Sequence, residues 1–113
     1  MTPSDTKINY KLASTMTTLR NVHPEMSIQM AHVFFLCALN QGESLTYIAN
    51  LTNYPLPSMS RKVSDLGARN REGKPGLGLV ETKIDPTEFR KKQIYLTSRG
   101  SALMADIVAI WRS

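Results

Sequence analysis

LTYIANLTNYPLPSMSRKVSDL, residues 45–66, holds two apolar stripes separated by a turn. In the first, Leu45, Ile48, Ala49 and Leu51 lie on one side of a short helix. Ser44, just before it, can accept hydrogen bonds from the free N–H groups of a first turn. Asn53, Tyr54 and Pro55 have turn chemistry. In the second stripe Leu56, Met59, Val63 and Leu66 recur at steps of three, four and three, the spacing of one buried helix face. Two helices across so tight a turn make a helix-turn-helix.

The residues beyond the second helix narrow the fold. Gly67 to Gly76 is rich in Gly, Arg, Asn and Lys and reads as loop. Leu77, Leu79 and Val80 then start a strand that continues through Thr82 and Ile84. Asp85-Pro86-Thr87 makes a turn, and Lys91 to Thr97 returns as a second strand with Ile94 and Leu96 on one side. Thr97 can cap a last helix over 98–112, with Leu103, Met104, Ile107, Val108, Ile110 and Trp111 on its apolar side.

Upstream, residues 1–6 read as a loose end. Ile8, Leu12, Met16, Leu19 and Val22 mark one face of a helix over 8–22, broken at His23-Pro24. Glu25 to Asn40 is apolar nearly all round, as expected of a central buried helix, and Gln41-Gly42 ends it. The expected fold is mainly α with a β-hairpin wing, a winged helix-turn-helix occupying residues 1–113 as one domain.

Charge is unevenly placed. Of the formal net charge of +5, all lies in residues 61–99, which hold ten basic and five acidic residues. A local basic surface attracts polyanions, nucleic acid above all. No apolar run approaches the roughly 20 residues of a membrane span. The polar N-terminus has no signal-like apolar segment. The one cysteine, Cys37, cannot form an internal disulfide, and a cytoplasmic location is expected.

In a helix-turn-helix the second helix lies in the major groove. At about 100° per residue, the side opposite the apolar stripe carries Pro57, Ser58, Arg61, Ser64 and Asp65. Arg61 is the candidate base reader. Ser58 and Ser60 at the helix start suit phosphate oxygens, and Lys62 flanks them. The wing candidates are Arg90, Lys91 and Lys92, for a minor groove whose negative potential draws cations. Arg69, Arg71 and Lys74 in the loop are candidate flanking phosphate contacts. GKPGLGLV, residues 73–80, is no phosphate-binding loop. Such a loop runs from strand to helix and ends in Lys-Ser/Thr, whereas this one runs from helix to strand and its Lys74 precedes a proline.

These pieces resemble the MarR family of winged-helix regulators. The SxSR run at Ser58 to Arg61, GLV at Gly78 to Val80, the D-P-x-E-x-R wing at Asp85 to Arg90 and LTxxG at Leu96 to Gly100 match the family's order and spacing. The resemblance implies a dimeric regulator on a palindromic double-stranded DNA site. It makes Arg90 the wing-tip arginine and Asp85 and Glu88 the acids that order the wing. Family members usually add a further helix that helps dimerise and form a ligand pocket. This chain ends after one helix beyond the wing, like small phage-encoded relatives, which leaves a small-molecule effector open.

Ile8, Leu12 and Met16 of the first helix and Ile107, Ile110 and Trp111 of the last can cover one another within a chain or join two chains. A homodimer through residues 8–22 and 98–112 is the favoured arrangement. Cys37 lies in the most apolar segment and reads as an inert core thiol. His23, His32 and Cys37 lack metal-ligand spacing, so neither metal nor cofactor is assigned. No constellation suggests an enzyme. The rival to DNA reading is a winged-helix protein that binds an acidic protein partner, such as an inhibitor of host machinery.

Overall fold

A computed structural model describes residues 1–69, 73–88 and 92–113. Five helices and two strands run in the order α1 (Pro3–Val22), α2 (Ile28–Leu39), α3 (Leu45–Asn50), α4 (Leu56–Leu66), β1 (Val80–Ile84), β2 (Lys92–Leu96) and α5 (Ser98–Arg112). This is the expected winged helix-turn-helix.

The chain start is not loose. Thr2 caps α1 reciprocally: its hydroxyl accepts from the Asp5 N–H at 3.1 Å and its own N–H donates to the Asp5 carboxylate at 2.9 Å. Pro3 occupies the first turn, where its missing N–H costs nothing. The hydrogen bond from the Thr2 backbone, then that with its hydroxyl, holds the Asp5 carboxyl below its ordinary value.

α2 begins later than its apolar run suggests, because the Ser27 hydroxyl accepts from the Met30 N–H and sets the start. Its middle is the core, with Val33, Phe34 and Cys37 fully buried. Its ends are not: Ile28 is 87% and Leu39 81% exposed. All-round burial therefore fails at the two ends, where the chain enters and leaves the core. His32 faces outward too, and its Nδ1 lies 2.8 Å from the Tyr54 hydroxyl.

β1 and β2 pair antiparallel, with Val80 opposite Leu96 and Ile84 opposite Lys92. The hairpin has a third partner that its alternation did not announce. The Gly42 N–H donates to the Ile94 carbonyl, the Ile94 N–H donates to the Glu43 carbonyl, and Gln41 Oε1 accepts from the Leu96 N–H. The connection from α2 to α3 thus runs as an edge of the sheet and fixes the wing to the helix-turn-helix.

The segment after α4 is more than a spacer. Leu77, Gly78 and Leu79 donate in turn to the carbonyls of Asp65, Gly67 and Leu66, and Gly76 donates to Ala68. The strand consequently starts at Val80 and not at Leu77, since residues 76–79 spend their N–H groups on the end of α4. Thr97 closes the joint from the other side. Its hydroxyl donates to the Gly78 carbonyl at 2.6 Å and accepts from the Gly100 N–H, capping α5. Gly100 is buried directly against the Leu79 backbone, and a Cβ there would collide with the Leu79 carbonyl. Gly100→Ala forces α5 away from this joint, at an expected cost of about 1–3 kcal/mol. A urea denaturation midpoint equal to that of the unaltered chain contradicts this packing.

Candidate nucleic-acid interface

α4 is held by one side. Met59 and Leu66 are fully buried and Val63 is 7% exposed, each packed in the common core. Leu56, expected on the same face, is half exposed, because the first turn projects beyond the core. No side chain caps α4. Its N-cap is Pro55, and Pro57 comes next but one, in the first turn. Tyr54, bonded to His32, anchors the chain just before it.

With the buried side fixed, the candidate residues fall on two flanks. On one flank Pro57, Ser58, Arg61 and Lys62 line a polar cleft of about 350 Å3 shared with Gln29 of α2. Arg61 and Pro57 are exposed, and Ser58 and Lys62 half-buried. On the other flank Ser60, Ser64, Arg69 and Lys92 line a cleft of about 590 Å3 between α4 and the hairpin, floored by Val63, Val80 and Ile94. α4 is therefore a ridge between two grooves, with hydroxyls or cations on each side. Ser64 also donates to the Arg69 carbonyl at 3.3 Å, tying the loop to the ridge. Lys74 is exposed in that loop. Arg71, Arg90 and Lys91 lie outside the described residues, as does Phe89.

The described part of the wing is ordered by its own acid. Asp85 Oδ1 accepts from the Thr87 N–H and hydroxyl, both at 2.8 Å, and from the Glu88 N–H at 3.3 Å. Such an Asx turn fixes the backbone leading into the tip. The Lys83–Glu81 pair at 3.5 Å is exposed, and Lys83 also lies 4.9 Å from the Tyr95 ring centroid.

The terminal helices lie together. Trp111 Nε1 donates to Thr15 Oγ1, and Lys11 Nζ donates to the Trp111 carbonyl, both at 3.0 Å. Ile107 is buried within the chain's own core at 4% exposure, and Ile110 is half-buried. Ile8, Leu12 and Met16 remain about half exposed along one face of α1, and Trp111 is 41% exposed. Cys37 is buried, and desolvation pushes its thiol from 9.0 up to about 12.

Gln29 is a cleft-lining residue that sequence periodicity missed. It lies on α2, far from Ser58 along the chain, and only the packing of α2 on α4 brings the two to one cleft.

The arrangement defines a winged helix-turn-helix with an outward ridge. Among solved structures the fold is shared with the S. aureus MepR–DNA complex (TM-score 0.71, 18% identity, 93% of this chain and 79% of that one). It is also shared with wild-type MarR from E. coli (0.63, 14%, 97% and 77%) and with the MarR family transcription regulator SP03579 (0.64, 20%, 95% and 64%). No protein-family model and no curated protein matches the sequence. The likeness to MarR-type regulators read from the motifs thus extends to the fold.

Asp85→Ala removes the acceptor for two backbone amides, so hydrogen exchange at Thr87 and Glu88 should accelerate while α4 is unaffected. Unchanged exchange there rules out the turn. Cys37 gives a pH test. Between 9.0 and about 12 the unfolded chain loses the thiol proton and the folded chain keeps it. Stability should therefore fall as pH rises through that window. Cys37→Ala should show a shallower fall in denaturation midpoint; identical slopes contradict the burial.

Proposed function

We propose that the chain is a sequence-specific, double-stranded-DNA-binding transcription regulator that acts as a homodimer on a palindromic site. The observation carrying this reading is the outer flank of α4, where Ser58, Arg61 and Lys62 stand together opposite the buried Met59, Val63 and Leu66. Support also comes from the shared fold, one example of which was solved on DNA. The role is binding, not catalysis, and it places the protein in the cytoplasm with its DNA and away from membranes. Among the described residues, no helix is long and apolar enough to cross a bilayer.

Arg61 reads a guanine edge in the major groove, a contact worth about 1–3 kcal/mol of discrimination. Ser58 and Lys62 hold phosphates beside it. Ser60, Ser64, Arg69 and Lys92, beside Glu81, line the groove on the wing side and are assigned to a backbone strand between ridge and hairpin. Lys74 flanks them, and Arg71, Arg90 and Lys91 are assigned to the same duplex from the sequence. Dimer formation uses the exposed stripe of Ile8, Leu12 and Met16 together with Trp111 and Ile110. Two reading helices then meet half-sites about one helical turn apart.

Selection from random duplex DNA at physiological salt should enrich a palindrome. Failure to enrich any sequence overturns the regulator reading and favours an acidic protein partner. Arg61→Ala should lose discrimination at one base position per half-site and keep most non-specific affinity; equal loss on every sequence contradicts base reading. Leu12→Glu puts a charge on the α1 stripe and should shift sedimentation to the monomer. A dimer that survives the change places the interface elsewhere.

A further inference from the structure

We infer that Gln29, at the start of α2 and outside the helix-turn-helix, is a phosphate-contacting residue that sets how α4 sits on the duplex. This rests on the DNA reading above. Gln29 is half-buried in the wall of the cleft that also holds Ser58, Arg61 and Lys62. The other two glutamines are spent inside the fold. Gln41 accepts from the Leu96 N–H at 3.0 Å and Gln93 accepts from the Tyr95 hydroxyl at 3.3 Å. Among the described residues, the Gln29 amide makes no hydrogen bond within the protein, and the side chains of Ser58, Arg61 and Lys62 make none either.

Four unspent polar side chains therefore share one concave wall, two of them cationic, and no acid lines it. No buried side-chain polar atom is left unsatisfied among the described residues, so these groups are held by water, which a ligand with several acceptors can replace at one concave wall. A phosphate diester fits, since it offers oxygens to the Gln29 amide, the Ser58 hydroxyl and the Lys62 ammonium at once. The amide contributes reach and direction but no charge. Because α2 is anchored by the core residues Val33, Phe34 and Cys37, a phosphate held by Gln29 references α4 to the body of the protein. Arg61 remains the base reader, and Gln29 fixes the register from which it reads.

The test is a charge series at one position, Gln29→Ala, Gln29→Glu and Gln29→Lys, titrated with the selected palindrome and a scrambled duplex over a range of salt. Gln29→Ala should weaken both complexes by the same factor, roughly three- to tenfold, with an unchanged salt slope, because no counterion is released by a neutral contact. Gln29→Lys should bind tighter with a log–log salt slope steeper by about one unit, and Gln29→Glu should bind more weakly on both duplexes. Three variants that bind like the unaltered chain overturn the inference while leaving the DNA reading intact. A loss confined to the palindrome also overturns it, since that marks a base contact. An unaltered chain that binds neither duplex overturns both. A thermal melt on each variant serves as the folding control, with only small opposite shifts expected for Glu and Lys in the first turn of α2.

Discussion

Burial of Met59, Val63 and Leu66 beneath α4 fixes the rotation of that helix, and the outward face is a consequence of it. Each such side chain contributes about 1.5–3 kcal/mol through removal from water. Turning α4 by one residue would expose part of that stripe and press Ser60 or Ser64 into the apolar core. The rotation is therefore set by the core and not by anything on the surface. Arg61, Ser58 and Lys62 face outward for that reason, and the hydroxyls of Ser60 and Ser64 flank the hairpin side.

The height of the ridge depends on two joints. At its start, Pro55 and Pro57 restrict the backbone, and the Tyr54–His32 contact at 2.8 Å ties the entry to α2. At its end, residues 76–79 are bonded back onto the last turn of α4, and the Thr97 hydroxyl links Gly78 to the start of α5. The hairpin is therefore tied directly to the end of α4. The pairing of Gly42 and Glu43 with Ile94 adds a third attachment, from the α2–α3 connection to the hairpin. α1 and α5 share the common core through Leu19, Leu103 and Ile107, and are laced to each other through Thr15, Lys11 and Trp111.

Much of this was legible in the sequence where side chains carry the signal. The three-four-three stripe gave α4 and its outer face, alternation at Ile94 and Leu96 gave the hairpin, and Thr97 announced α5. The capping box at Thr2, Pro3 and Asp5 was also written in the sequence, but a polar terminus masked it. Other features were not legible, because they belong to the backbone or to tertiary packing. The edge at Gly42 to Ser44 is made by main-chain groups of three residues with no periodicity. The exposure of Ile28 and Leu39 depends on where α2 leaves the core. Ile107 and Trp111 looked alike on one helix face, yet packing buries the first and leaves the second 41% exposed. Gln29 joins the site only because α2 crosses α4.

The central claim is that the outer side of α4 is the surface that meets DNA. Its most direct test is an NMR titration of the labelled chain with its selected duplex, tracking backbone amides and the Arg61 side chain. The largest shifts should fall on Ser58, Arg61, Lys62 and Ser64 and on the hairpin near Lys92, with Lys7 to Thr17 of α1 nearly silent. Shifts concentrated on α1 and α5, with α4 unmoved, would contradict the account.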